Sequence, residues 1–345
     1  MDYGKVLAKK RSKHRFIYLS LTILLILLFF LDISLGTIRI SFNEVMSILL
    51  GSPSQNEAAT SIVKEIRIPR AIGAIVGGAA LSLAGLLMQI FFQNPIVDPF
   101  VLGISSGATL MVGIVTLTGM TLGLPTQSSY ILVIAALMGA SLVMLIVTGI
   151  ASRVKNVTTL LVIGLMIGYL CSAIINILVA FAEKENIRNF VVWTMGSFSG
   201  FTWERVLILS VFTFSMLFLS FFISKPLNAL LLGEGYAKTM GVRIRSFRLA
   251  IVSLSSLLTG VVTAFTGPVA FVGLAVPHIA RLSFGTDDNR VLIPGAAILG
   301  ATLTIFCDLF ARLLLSPIEL PISAVSSFVG APVVVYLLMT RRENL

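Results

Sequence analysis

The residues able to do acid, base, nucleophilic or metal chemistry are few in this 345-residue chain, and they are scattered. Its two histidines are His14, in a basic amino-terminal stretch, and His278, in the sequence VPHIARL. No second histidine, cysteine or carboxylate stands at ligand spacing on the same helix face, so neither predicts a metal site. Cys171 and Cys307 each fall inside an apolar run and read as core residues, not as a C-x-x-C motif. Asp287-Asp288 lacks the repeated acidic pattern that holds magnesium and a diphosphate; with Gly285 and Asn289 it reads as a tight turn. A serine hydrolase would need a serine motif for His278 to serve, and none is evident. The segment Gly233-Glu234-Gly235-Tyr236-Ala237-Lys238-Thr239 imitates a phosphate loop, but alanine replaces the glycine before the lysine and no strand precedes it. The expectation is a chain that is not an enzyme and holds no metal or cofactor of its own.

Composition points to what must position the remaining groups. Hydrophobic residues make up 57% and charged residues 12%, with a mean hydropathy of +1.02; soluble globules carry about a quarter charged residues. This predicts an all-α, polytopic membrane protein. The net charge of +10 then reflects lysines and arginines gathered on one side of the membrane and not a nucleic-acid partner. Apolar runs separated by polar or Pro/Gly-rich breaks predict about ten spans, each set against a bilayer core of about 30 Å: 16–36, 70–92, 100–120, 129–151, 158–181, 206–223, 249–267, 270–284, 295–315 and 322–340. The eighth is short and contains Pro268 and Pro277, so a broken helix is expected there. Residues 1–15 form a basic tail; the run after them is long for a signal-peptide core and no small-residue cleavage site closes it, so it reads as the first span. With the amino terminus inside, most of the 25 basic residues fall inside, among them Arg153, Lys155, Lys225, Lys238, Arg243, Arg245, Arg248, Arg281, Arg290, Arg341 and Arg342. Both termini are then cytoplasmic. Outside, SFNEVMSILLG carries Val45, Ile48 and Leu49 on one face of a short interfacial helix.

Within the spans the sequence shows Asp308 and Arg312, four apart near an outer end, and little other charge. Charges deep in a bilayer cost about 2.5 to 3.5 kcal/mol on insertion scales and persist where they act. Their scarcity weighs against an ion-gradient-driven secondary transporter, which stands as the alternative reading. The stretch from Ile66 to Gly107 organises the chain: Arg67 and Arg70, an uncharged run with Gly73 and Gly77 spaced for close helix packing, then the turn Asn94-Pro95-Ile96-Val97-Asp98-Pro99. In the fifth span Gly164, Gly168, Ser172, Asn176 and Ala180 recur every fourth residue, and Ser323, Ser327 and Gly330 repeat the pattern in the tenth. Small polar faces of this kind either pack helices or line a water-filled path.

The organising stretch resembles the permease subunits of the FecCD-type family, the type II ATP-binding cassette importers for iron-siderophores, haem and cobalamin. The segments KPLNALLLGEGYAKTMGVRIRSFR from Lys225, GPVAFVGLAVPHIARL from Gly267 and DLFARLLLSPIELPISAVSSFVGAPVVVYLL from Asp308 are similar to the same family in the same order. The resemblance implies a single permease domain over 16–342, working in the cytoplasmic (inner) membrane as a homodimer. Its partners would be two ATPase subunits, which bind ATP-Mg, and one extracytoplasmic substrate-binding protein. It implies that 224–248 docks on the ATPase through Gly233, Glu234, Ala237, Lys238 and Gly241. It implies that Arg67, Arg70 and Arg312 hold acidic residues of the binding protein. It also implies that Gly164, Gly168, Ser172, Asn176, Ser323 and Ser327 border the translocation path.

Overall fold

The computed structural model describes residues 3–36, 38, 40–51, 57–119, 129–154 and 157–341; Lys155 and Arg342 lie outside them. The described residues form helices α1 (Tyr3–Ser34), α2 (Phe42–Leu49), α3 (Glu57–Ser61), α4 (Ile68–Phe92), α5 (Ile104–Thr118), α6 (Ser129–Ala151), α7 (Val157–Phe181) and α8 (Lys184–Thr194). They continue as α9 (Trp203–Phe222), α10 (Ser224–Leu231), α11 (Glu234–Thr239), α12 (Ile244–Thr266), α13 (Val272–Phe284), α14 (Asn289–Leu313) and α15 (Ile322–Arg341). Seven helices are long and apolar enough to cross a membrane, and three shorter ones lie at the third, eighth and tenth predicted spans. The fold is all-α, as expected.

Several boundaries move for local reasons. α1 starts at Tyr3, so the basic tail is a helical extension of the first span. The third span begins at Ile104, because Asp98 caps a 3₁₀ turn over Pro99–Leu102 and Gly103 follows at φ 75°. α8 was not expected; its low apolar content hid it between two spans. In α2, Ser41 caps Glu44 N–H, and Val45 and Ile48 are buried while Leu49 is exposed.

α4 is the axis of the bundle, buried along nearly its whole length. The glycines that let other backbones approach it are Gly78 and Gly85: a Cβ would sit 2.4 Å from Gly300 O and 1.8 Å from Gly273 O. Gly73 and Gly77, expected to pack helix backbones, instead receive the rings of Phe201 and Phe198. Polar side chains close the same contacts, with Ser82 donating to Ala296 O (2.8 Å), Ser255 to Ala84 O (3.0 Å) and Gln89 to Leu274 O (3.0 Å). A lone hydroxyl or amide in a dry bundle must find such a carbonyl.

The eighth span is broken around Pro268, while Pro277, also expected to break it, lies inside α13. α13 has 13 residues, about 20 Å at helical rise, and non-helical residues 267–271 precede it, with Phe271 at φ 67°. The freed carbonyls of Pro268 and Ala270 accept from Ser323 (2.6 Å) and Ser326 (2.9 Å) on α15. This satisfies backbone that has no water at such depth.

Long-range contacts sort the helix ends into two groups without reference to a membrane. At one end His14 meets Phe284 O (3.0 Å), Gln93 donates to Leu230 O (2.8 Å) and Asn228 donates to Asp288 (2.7 Å). At the other, residues of α1, α4, α14 and the 314–321 turn come together, and Trp203 donates to Lys64 O (3.0 Å). The first is the basic end of the sequence ladder.

Candidate functional site

At the end opposite the basic one, Arg67, Arg70 and Arg312 converge, and all three are buried, at 4%, 6% and 5% exposure. Arg67 donates from Nη1 to Ile33 O (2.8 Å) and Ser34 O (2.9 Å), and from Nη2 to Ile38 O. Arg312 donates from Nη2 to Asp32 O (2.9 Å) and to the Asp32 carboxylate, and its Nε lies 3.3 Å from Asp308 Oδ2. Two guanidinium groups thus close the carboxyl end of α1, whose last carbonyls have no partner within the helix and carry its negative dipole end. Arg70 forks onto Asp308, with Nε 2.9 Å from Oδ2 and Nη2 3.1 Å from Oδ1, and its Nη1 reaches Glu319 Oε1 at 2.8 Å.

The network is electrically balanced: three guanidinium groups face Asp32, Asp308 and Glu319. Glu319, in the turn after α14, is its most open member, with the side chain 40% exposed. The arginines expected to hold acidic residues of a partner are therefore turned inward, Arg70 and Arg312 onto carboxylates and Arg67 onto backbone carbonyls. The pairing of Arg312 with Asp308, four residues apart, was legible from the sequence; the partner Asp32 was not, although a lone acid inside an apolar run is a signal that could have found it.

At the basic end, α10 and α11 part at Gly233, at φ 102°, and Gly241, at φ 83°, parts α11 from α12. Gly233 therefore separates the two short helices, and Gly241 leads into the long α12. Ala237 is fully buried against the bundle, and Glu234 turns to Arg248 on α12, Nε donating to Oε1 at 2.9 Å. Ala237 therefore faces inward, while the Glu234 side chain stays 39% exposed. The exposed surface here is Leu232, Tyr236 and Met240, at 67%, 48% and 64% exposure, beside Lys238. Tyr236 and Met240, four apart, share one face of α11, and Leu232 stands before the break at Gly233.

Nearby, Asp98 accepts from Phe100 N–H (2.9 Å) and caps its turn; burial pushes its carboxyl up to about 6, with that hydrogen bond opposing the rise. Asp288 caps α14 by accepting from Arg290 N–H (3.0 Å), and Gly285 takes φ 62°, the tight turn that the sequence anticipated.

The small-residue faces divide. Gly164 packs against Val101 and Leu102, where a Cβ would meet Val101 O at 2.5 Å, and Gly168 lies beside Ser106. Ser172 and Asn176 are exposed on the same helix, among Tyr169, Ile177 and Phe181. On α15, Ser323 is engaged with Pro268 O and Ser327 donates back to Ser323 O (2.6 Å). The packing reading thus holds for Gly164, and exposure remains for Ser172 and Asn176.

Comparison with known proteins now adds kinship. The FecCD transport family matches residues 24–340. The hemin transport system permease protein HmuU of Yersinia pestis is 34% identical over 325 residues, covering 94% of this chain and 95% of its own. The vitamin B12 import system permease protein BtuC of Vibrio parahaemolyticus is 33% identical over 345 residues and covers 99% of both chains. Among solved structures, an inward-facing metal-chelate type ABC transporter superposes with a TM-score of 0.83 at 28% identity, covering 94% of this chain and 99% of its own. PsaBC from Streptococcus pneumoniae, at 13% identity and a TM-score of 0.54, shares the fold alone. With a family match over almost the whole length and relatives that align end to end, the chain belongs to the FecCD transport family, as a membrane-spanning transport permease and not an enzyme.

Proposed function

We propose that the chain is the permease of an ATP-driven importer, a homodimer in the cytoplasmic membrane with two ATPase subunits at its basic end and a binding protein at the other. Its cargo is a large chelate or macrocycle: an iron-siderophore by first preference, otherwise haem or cobalamin. The relatives' hemin and vitamin B12 and the neighbour's metal chelate support that size class. The basic end faces the cytoplasm by the excess of lysine and arginine there. The observation that carries the reading is the exposed Leu232, Tyr236 and Met240 beside Lys238, an apolar patch on short helices outside the bundle. Such a patch fits a partner protein's cleft. The ATPase would bind ATP-Mg, for which this chain has no phosphate loop.

Ser172 and Asn176 on the open face of α7 would border the path between two copies. At the outer end, Arg67, Arg70 and Arg312 would serve docking through Glu319, the open edge of their network, where an acidic residue of the binding protein can reach Arg70. Among the described residues, the buried carboxylates Asp32 and Asp308 sit at that same end and are engaged with arginine, which weighs against an ion relay through the membrane centre.

The test is co-purification with the importer's ATPase. Tyr236→Asp with Met240→Asp is expected to leave the permease in the membrane and remove the ATPase from the complex. Full retention of the ATPase, with uptake still driven by ATP, would refute the contact.

A further inference from the structure

The two short helices at the basic end are tied to the bundle by different groups. α10 is held by amides: Asn228 donates to Asp288 (2.7 Å) and accepts from the Asn289 backbone N–H (2.8 Å), while Gln93 donates to Leu230 O (2.8 Å). These bonds fasten it to the end of α4 and the start of α14. α11 has six residues and a single buried side chain, Ala237. Its polar tie is Glu234, whose Oε1 accepts from both Nε and Nη2 of Arg248. Arg248 stands in the first turns of α12, and its Nη1 also lies 3.4 Å from Val154 O in the turn between α6 and α7.

The backbone adds further ties mainly at the carboxyl end of α11. Gly233 and Gly241 bracket α11 at φ 102° and 83°, with nothing within 4 Å of where a Cβ would stand. Gly241 is the closing residue of a helix cap, with its N–H on Lys238 O (3.1 Å) and the Val242 N–H on Ala237 O (3.0 Å), so Gly233 is the freer joint. Cavities of about 430 Å³ and 680 Å³ lie on the two sides of the ion pair, the first lined by Phe92, Gln93 and Leu230, the second by Ser152, Arg153 and Arg245, and Glu234 and Arg248 line both. A helix too short to be stable alone, entered through the open Gly233 joint and flanked by two cavities, would pivot under load unless something rigid joined it to a long helix.

We propose that Arg248 is a positioning residue: its fork onto Glu234 carries displacement of α11 into α12 and the α6–α7 turn, so that closure of the ATPase moves those transmembrane helices with α11. The inference rests on the reading of α11 as the ATPase contact. Arginine suits the task because its planar guanidinium engages a carboxylate through two donors and leaves a third for the carbonyl of the neighbouring turn.

The experiment uses the permease–ATPase complex in proteoliposomes, with spin labels at Ser172→Cys on α7 of both copies, in a background where Cys171 is alanine. ATP with vanadate is expected to change the label-to-label distance in the otherwise native complex. In Arg248→Gln that change is expected to shrink about two- to fivefold, the scale of one partly screened charge pair, while ATP hydrolysis and bound ATPase persist. The exchanged pair, Glu234→Arg with Arg248→Glu, is expected to recover most of it, which loss of packing alone would not allow. An undiminished change in Arg248→Gln, or an exchanged pair no better than the single variant, overturns the proposal. A separate arm crosslinks Lys238→Cys to the ATPase: with the crosslink present, those outcomes bear on Arg248 alone, and its absence removes the contact reading and the proposal with it.

Discussion

Replacing Asp308 with asparagine removes one negative charge from the middle of the outer arginine network. Asp308 is 1% exposed and faces two guanidinium groups, Arg70 at 2.9 Å and Arg312 at 3.3 Å. Removing one member of a buried ion pair costs about 3 to 5 kcal/mol, because the surviving charge stays buried without its partner. Two terms offset this. The amide oxygen still accepts a hydrogen bond from Arg70, worth about 0.5 to 1.5 kcal/mol. Glu319 still faces Arg70, but its 40% exposure limits any strengthening of that pair to a few tenths of a kcal/mol. The expected net loss is about 2 to 4 kcal/mol. At about 2 °C per kcal/mol for a chain of this size, the unfolding midpoint falls by about 4 to 8 °C.

Cys307 supplies the assay, being fully buried and adjacent to the substituted residue. With Cys171 changed to alanine, a thiol-reactive dye reports the temperature at which the outer end opens in detergent. The double variant Arg70→Met with Asp308→Leu removes a matched pair of charges and should recover more than half of the loss. A midpoint shift under about 1 °C in Asp308→Asn, or losses that simply add in the double variant, would refute the closed network described above.

Gly85→Ala places a methyl group 1.8 Å from Gly273 O and should cost more than the usual 1 to 3 kcal/mol of overpacking, about the threshold for losing folded protein. Gly149→Ala meets nothing within 4 Å and should be neutral or slightly stabilising; equal yields and midpoints for the two would contradict the α4–α13 contact. Asp98 has its carboxyl raised from 3.8 to about 6 by burial, so the folded state binds the proton more tightly than the unfolded one, and stability rises as pH falls from above 6 toward 3.8. Between pH 7 and pH 5 the native chain should gain in thermal midpoint relative to Asp98→Asn, which keeps an acceptor for Phe100 N–H but cannot titrate; parallel profiles would remove the burial argument. A cysteine at Ile318, 69% exposed beside Glu319, should crosslink to the binding protein if docking uses this face, and Glu319→Ala should raise the affinity by freeing one donor of Arg70. No crosslink at Ile318 or at Ser316 would place docking elsewhere.

The class, the number of spans and most of their limits follow from local pattern, because a membrane chain must satisfy its backbone within each helix and so needs a long uncharged run for every crossing. The broken eighth span was legible in part, since Pro268 falls in its non-helical stretch, whereas Pro277 is carried inside α13. So was the turn at Gly285 to Asn289, where a left-handed glycine and a capping aspartate act within five residues of one another. What the arginines do was not legible. Arg312 and Asp32 are separated by 280 positions, and Arg70 and Asp308 by 238; nothing in the residues near Arg70 says that α14 will lie beside α4. Likewise Gly73 and Gly77 have the spacing of a helix contact, but Gly78 and Gly85 make it, because which side of α4 meets another backbone depends on where α13 and α14 pack. Local sequence determines which segments become helices, through hydropathy, proline and caps; the partners of the buried charges and the identity of the close-contact glycines exist only once the helices have assembled.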